Sequence, residues 1–247
     1  MSKKLITQDI AYKAERFREH YGLGKFAPID FDRFLLKTNV IAAYKPLSDE
    51  FSGMSIRYRD TYRFMLINSN QILSRQRFTM AHELYHLFIQ EDFHSHTCTP
   101  GNSDYFSHPE EYKADVFASN LLLPEHGVLE ILPEQEKQKK NNITRETIFK
   151  IHQYFGVSVK AVIMRLLVLA LVDNTYFDTY SSDLKSTAIK LGYNTKLYEI
   201  TGDSYVIGDY ASLARRLYES GKISESHYLE LMNAIGVDPY YTNCVSK

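Results

Sequence analysis

The chain has 247 residues, of which 44% are hydrophobic and 24% charged, and its formal net charge is -1. This composition is typical of a globular protein with its own core, and the lack of a basic excess disfavours a general nucleic-acid-binding protein. Two cysteines, Cys98 and Cys244, are too few for a disulfide framework and suit a reducing compartment. The first residues lack the apolar stretch of a signal peptide, and the longest apolar run, residues 161–172, is shorter than the ~18 residues that cross a bilayer. We therefore expect a cytoplasmic protein without a membrane segment.

The first half of the chain alternates between helix and strand patterns. Helical spacing of apolar residues predicts helices over residues 7–21 and 30–39, and β-branched or aromatic alternation predicts strands over residues 40–44, 54–59 and 62–68. Residues 71–89 then form a helical pattern that is apolar on nearly every side, which is typical of a central, buried helix. A further helix is predicted over residues 109–123, with Pro109 in its first turn and Pro124 after its end.

The second half begins with a charged linker at residues 133–142 and continues with two helices around the turn Gly156-Val157-Ser158. This helix pair resembles a helix-turn-helix, but its second helix has only two basic residues, so packing into the core is the better interpretation. After about residue 174 the composition becomes polar and rich in tyrosine. We place a domain over residues 1–175 and an extension over residues 180–247, with short helices over residues 184–191, 212–220 and 224–234.

The most informative motif is His82-Glu83-Leu84-Tyr85-His86, inside the predicted central helix. Residues four apart share a helix face, so the two imidazoles converge on one point. Neutral histidine nitrogens are good Zn²⁺ ligands, and a catalytic zinc takes three protein ligands and a water. Glu83 follows the first histidine directly, and from there its carboxylate can take a proton from that water.

The helix over residues 109–123 offers the third ligand. Glu111 and Asp115 lie four apart on one face, and small residues along this helix allow close packing. Glu111 would complete a His₂Glu site, and Asp115 could accept the other ring N–H of a ligand histidine. Acidic residues are common in the first turn of a helix, so Glu110 remains an alternative ligand that spacing does not separate from Glu111.

These residues resemble the ImmA/IrrE family of metallo-endopeptidases. Residues 77–86 (RFTMAHELYH) are similar to the family pattern RFTxAHELGH, and residues 111–124 (EYKADVFASNLLLP) are similar to ExxA(N/D)xFAxxLLxP. Weaker similarity extends over about residues 5–172 and includes the segment Phe155-Gly156-Val157-Ser158. One position departs from the family pattern, because Tyr85 replaces the usual glycine.

The resemblance implies an α+β, zincin-like minimal metalloprotease with one zinc ion per chain and no other cofactor. We expect it to be mostly helical, with a small three-stranded sheet and a helical C-terminal extension of unknown role. By resemblance the zinc ligands are His82, His86 and Glu111, and the catalytic carboxylate is Glu83. Known members of the family cleave helix-turn-helix repressors and so derepress stress genes or mobile-element genes.

Three further features leave alternatives open. The polar loop with His94, His96 and Cys98 could bind a second metal, although solvated surface is the simpler interpretation. The developing oxyanion could be stabilised by one of several side chains, and the sequence does not choose among them; the candidates are His94, His96, Tyr105, His108 and Tyr112. Residues 52–68 could include an edge strand to which an extended substrate adds.

We therefore expect a zinc-dependent intracellular endopeptidase, a hydrolase that cleaves a peptide bond in a protein and thereby regulates transcription. A zinc-bound water activated by Glu83 would attack the peptide carbonyl, and the substrate would be a helix-turn-helix repressor. The alternative is a non-catalytic binding module that sequesters a repressor. The intact Glu83 favours the enzyme, and neither direct nucleic-acid binding nor membrane association is expected.

Overall fold

The computed structural model describes residues 3–59, 61–92, 107–180 and 182–237, together with the backbone of residues 97–98. The fold is α+β, with one sheet and with helices that account for most of the described residues. The longer helices are α1 (Lys3–Tyr21), α2 (Phe31–Lys37), α3 (Leu73–Phe88), α4 (Pro109–Leu122), α5 (Glu125–Ile131), α6 (Glu134–Lys137), α7 (Arg145–Phe155), α8 (Val159–Val168), α9 (Thr175–Tyr180), α10 (Leu184–Lys190), α11 (Tyr210–Glu219) and α12 (Glu225–Asn233). A short 3₁₀ helix spans Lys196–Tyr198.

The sheet has four strands of three or more residues, extended at one edge by a two-residue strand. The strands are β1 (Val40–Lys45), β2 (Gly53–Tyr58), β3 (Tyr62–Asn68), β4 (Thr97–Cys98) and β5 (Tyr205–Ile207), in the order β4-β2-β3-β1-β5. The β2–β3 pair is an antiparallel hairpin, whereas β1 runs parallel to β3.

The expectation of a three-stranded sheet was wrong, because β5 comes from the C-terminal extension and pairs with β1. The extension is otherwise mainly helical, as expected. The segment Tyr205–Ile207 is only three residues long and lies between polar residues. Such a segment has too little alternation to be recognised alone, and it becomes a strand because the edge of β1 offers unpaired backbone groups.

Helix α3 is central, as its apolar pattern predicts. It packs against β2, β3 and α4, and its residues from Thr79 to Leu87 are all buried. The side chain of Gln76 supports its first turn by donating to the carbonyl of Gln71 at 2.7 Å. The backbone N–H of Leu73, which has no partner within the helix, donates to Glu199 O of the extension.

Helix α4 lies between α1 and α3. Ala114 and Ala118 are fully buried on it, so small side chains stand at its packing surface. The buried guanidinium of Arg18 on α1 donates to Leu121 O near the end of α4 and to Gly24 O. Because a buried cation is costly without hydrogen bonds, these contacts fix α1 relative to α4.

Helices α7 and α8 meet at 108°, and the apolar face of α8 is buried, with Val162, Ile163 and Leu166 fully inaccessible. The prediction that this pair packs into the core is therefore confirmed. Gly156 ends α7 with a left-handed backbone (φ 66°), and Ser158 caps α8 by accepting from Ala161 N. Within the described residues, no single helix is long and apolar enough to span a membrane, and only this bent pair would reach the required length together.

Candidate metal centre

Three side chains that the sequence marked as metal ligands lie together in the structure. Each of His82, His86 and Glu111 offers one ligand atom, and these atoms all lie within 4.8 Å of one another. Glu111 Oε2 is 3.1 Å from His82 Nε2, Glu111 Oε1 is 3.4 Å from His86 Nε2, and the two Nε2 atoms are 3.2 Å apart. This is the only such group that the described part of the chain contains.

The helices explain why these atoms converge. His82 and His86 are one turn apart on α3 and are buried by the surrounding core, with relative exposures of 0% and 1%. Glu111 belongs to the first turn of α4 and reaches both imidazoles across the α3–α4 interface. The site is thus formed by two helices that the small residues of α4 allow to approach closely.

Asp115 lies one turn after Glu111 and accepts from the opposite nitrogen of His82, with 2.9 Å between His82 Nδ1 and Asp115 Oδ1. Burial alone would lower the pKa of His82, but hydrogen bonds to Asp115 and Glu111 and the nearby charge of Glu83 raise it to about 10. The surrounding carboxylates therefore favour a positive charge at this position.

This charge distribution fits a divalent cation. Two imidazole nitrogens and a carboxylate oxygen are a donor set found in catalytic metal sites, and three protein ligands leave positions open for water and substrate. The excess of carboxylates that now favours a proton on His82 would equally favour a metal ion in its place. The residues present thus fit the metal that the motif implies.

Glu83 is fully buried on α3, beside strand β2. A Cβ atom added at Gly53 of β2 would lie 3.4 Å from Glu83 Oε1 and only 2.5 Å from Thr79 Cγ2. A Cβ atom essentially never lies as close as 2.5 Å to another carbon atom, so the absence of a side chain at Gly53 permits β2 to cross α3 closely at this point. Strand β2 is thereby placed next to the Glu83 carboxylate.

Glu110 is held away from the imidazoles. Its Oε2 accepts from the Tyr85 hydroxyl at 2.8 Å, and its Oε1 accepts from Lys113 at 2.5 Å. Partial burial opposes ionisation of Glu110, but the hydrogen bonds from Lys113 and Tyr85 outweigh it and lower its pKa. Glu111, not Glu110, therefore faces the two histidines.

Gln90 is a residue of this site that sequence reasoning missed. Its Oε1 lies 2.6 Å from His86 Nδ1, so it contacts His86 on the side opposite the ligand cluster. The only signal in the sequence for this contact was that Gln90 lies four residues after His86. A glutamine just beyond the end of a helix is not by itself typical of a metal site.

The structure does not identify an oxyanion-stabilising residue among the candidates. The hydroxyl of Tyr112 lies 2.9 Å from Thr7 Oγ1 on α1, and His108 is the exposed residue that precedes α4. His94, His96 and Tyr105 lie outside the described residues, as do the side chain of Cys98 and the whole of Cys244.

The chain matches the Peptidase_M78 family, described as the IrrE N-terminal-like domain, over residues 44–167. No curated protein matches the chain. The family match covers half of the chain and includes both helices of the metal centre, α3 and α4. The chain therefore belongs to the ImmA/IrrE family of metallopeptidases.

Proposed function

We propose that this protein is a zinc-dependent endopeptidase. The observation that supports this proposal most directly is the convergence of His82, His86 and Glu111, with Glu83 on the same buried helix as the two histidines. A metal-binding protein without catalysis needs the three ligands only. A buried carboxylate beside them, adjacent to strand β2, is what peptide hydrolysis additionally needs.

Zinc is the metal that suits this donor set best. Imidazole nitrogen and carboxylate oxygen are both common zinc ligands, and zinc accepts the low coordination number that three protein ligands and an open position provide. When bound, the metal ion would polarise the scissile carbonyl and lower the pKa of the attacking water.

The residues of the chain would supply the remaining chemistry. Glu83 would take a proton from the attacking water and return it to the nitrogen of the leaving amine. Asp115 holds the His82 ring by its Nδ1 atom, so that Nε2 stays directed at the ligand cluster. Because His82, Glu83 and His86 are all buried, closure of the site by substrate would exclude bulk water and strengthen these interactions.

Strand β2 is the surface along which we propose that the substrate binds. It passes beside Glu83 at Gly53, and β4 pairs with it in antiparallel fashion at Gly53 and Met54. This pairing means that the outer edge of β2 accepts an antiparallel strand, and an extended peptide that takes the place of β4 there would lie next to the Glu83 carboxylate.

We propose a helix-turn-helix repressor as the protein substrate and transcriptional derepression as the outcome. Support for this step is the family resemblance, because the metal centre itself is compatible with any extended peptide. The small number of cysteines favours a reducing compartment, so we place the reaction in the cytoplasm.

The test is a cleavage assay with any helix-turn-helix repressor that the neighbouring genes encode, using wild type, Glu83→Gln and the matched control Glu130→Gln. Glu83→Gln should retain metal and lower the rate of cleavage by roughly 10²-fold or more, because the amide cannot accept the proton. Glu130 is exposed on α5, and its replacement should change nothing. Binding of the repressor without cleavage by wild type would instead favour the sequestering module, and full activity of Glu83→Gln would remove Glu83 from the role of base.

A further inference from the structure

Gln90 lies at the end of α3, one turn after His86, and is 5% exposed. Its amide is oriented by a second contact, since Nε2 donates to Asp92 O at 2.9 Å. The oxygen Oε1 is therefore the atom that faces His86 Nδ1, 2.6 Å away. An amide oxygen can only accept, so His86 Nδ1 must carry the hydrogen.

This hydrogen bond determines which nitrogen of His86 is available to a metal. With the hydrogen on Nδ1, the lone pair of the neutral ring is on Nε2. That atom lies 3.2 Å from His82 Nε2 and 3.4 Å from Glu111 Oε1, inside the ligand cluster. Gln90 thus selects the tautomer in which the His86 lone pair is on Nε2, the nitrogen that faces His82 and Glu111.

The backbone around Gln90 is held by the sheet. Arg57 on β2 donates to Gln90 O at 3.0 Å and to Glu91 O at 3.2 Å, and Arg63 on β3 donates to Leu87 O at 3.2 Å. The last carbonyls of a helix lack partners within it, so these guanidinium groups stabilise the end of α3. Gln90 is therefore fixed through both its main chain and its side chain.

The two histidines have different partners. His82 donates to a carboxylate, that of Asp115, whereas His86 donates to the neutral amide of Gln90. A hydrogen bond to an ionised acceptor is roughly twice as strong as one between neutral groups, and it increases the basicity of the ring more. The amide should therefore fix the orientation of His86 while adding less to its strength as a ligand.

We propose that Gln90 is a positioning residue of the metal centre: it holds His86 in the Nδ1–H tautomer, and its hold on the ring depends on the arginine contacts from β2 and β3. This inference rests on the proposed metal site but not on cleavage of any substrate.

The experiment compares the variants Gln90→Met and Gln90→Glu with wild type and with Gln76→Met. Gln76 is another buried glutamine of α3, and its amide contacts Ser69 O and Gln71 O, outside the ligand cluster. Zinc affinity is measured by competition with a chromophoric chelator. In parallel, ¹⁵N NMR of the metal-free, histidine-labelled proteins reports the tautomer of His86.

Gln90→Met, which keeps the size of the side chain but removes the acceptor, should weaken zinc binding about 10–100-fold. It should also convert the His86 signal from the Nδ1–H tautomer to a mixture. Gln90→Glu restores an acceptor and should keep both the tautomer and an affinity at least equal to that of wild type. Gln76→Met should lower stability without changing zinc affinity or the His86 signal.

Equal zinc affinities for Gln90→Met and Gln76→Met, or an unchanged His86 tautomer in Gln90→Met, would overturn the proposal. If wild type binds no zinc, the proposed metal site fails. The NMR comparison on the metal-free proteins still decides whether Gln90 sets the tautomer of His86.

Discussion

Tyr85 shows how a single residue can depart from the family pattern without occupying the site. Its ring is 3% exposed and packs against Phe117, with 5.8 Å between ring centroids, and its hydroxyl donates to Glu110. Burial and the neighbouring Glu110 carboxylate raise the pKa of the Tyr85 hydroxyl, which therefore remains a donor. The aromatic side chain thus links α3 to the first turn of α4, next to Glu111.

From this packing we expect that restoring the family's glycine is harmful in this chain. Tyr85→Gly removes a buried aromatic ring and adds a helix-interior glycine, which together should lower the free energy of unfolding by about 4 kcal/mol. Tyr85→Phe loses only the hydrogen bond and should cost about 1 kcal/mol. Denaturant unfolding of the metal-free proteins measures both, and a Tyr85→Gly variant as stable as wild type would show that the ring contributes no packing.

At the scale of helices and strands, the sequence predicted α3 and α4 within two residues of their observed ends. Their buried patterns are long, and Pro109 and Pro124 mark the ends of α4. These two helices also bring four predicted site residues together, because spacing along a helix determines which side chains share a face. The four are His82 and His86 on α3 and Glu111 and Asp115 on α4. Two contacts were harder to predict. The contact of Tyr85 with Glu110 and that of Gln90 with His86 depend on rotamers and helix ends that periodicity does not specify. The strand β5 was missed for a similar reason, since its pairing depends on β1, more than 150 residues earlier.

His152 on α7 forms a hydrogen bond that links the core to the C-terminal extension. Its Nδ1–H donates to Val157 O in the turn between α7 and α8, and its Nε2 accepts from the Tyr198 hydroxyl at 2.7 Å. Burial lowers the pKa of His152 to about 4, so the ring is neutral in the folded protein at pH 7. Because Nε2 is the acceptor in this form, protonation would remove that acceptor and the Tyr198 hydroxyl could no longer donate to it.

The folded chain should consequently lose stability on acidification. An unfolded histidine has a pKa of about 6.5, so between about pH 6.5 and pH 4 the unfolded state binds a proton that the folded state does not. The contribution of this site is fully present above pH 6.5 and decreases by up to about 3 kcal/mol as the pH falls to about 4. We expect the difference in unfolding free energy between wild type and His152→Gln to change by this amount in metal-free protein. A difference that is independent of pH would contradict a buried neutral His152.

The family match ends at residue 167, yet residues after it contact both the sheet and helix α3, which carries His82 and His86. β5 pairs with β1, and the ring of Tyr205 stacks on Tyr44 with 4.2 Å between centroids. Glu199 O accepts from the first turn of α3. Helices α11 and α12 form a separate small cluster around Ala214, Tyr228 and Met232. A domain boundary near residue 180 remains our proposal. The first half of the extension contacts the sheet and α3, and the second half has a small core of its own.

The central claim is that two turns of α3 and the first turn of α4 bind one metal ion together. X-ray absorption at the zinc edge, with metal content per chain, tests it most directly in wild type, Glu110→Gln and Glu111→Gln. We predict one zinc ion per chain in wild type and in Glu110→Gln, with two imidazole nitrogens and a carboxylate oxygen at about 2.0–2.2 Å. Glu111→Gln should bind zinc far more weakly, because the carboxylate is lost. Sulfur ligands, no zinc in wild type, or loss of zinc in Glu110→Gln but not in Glu111→Gln would contradict the account.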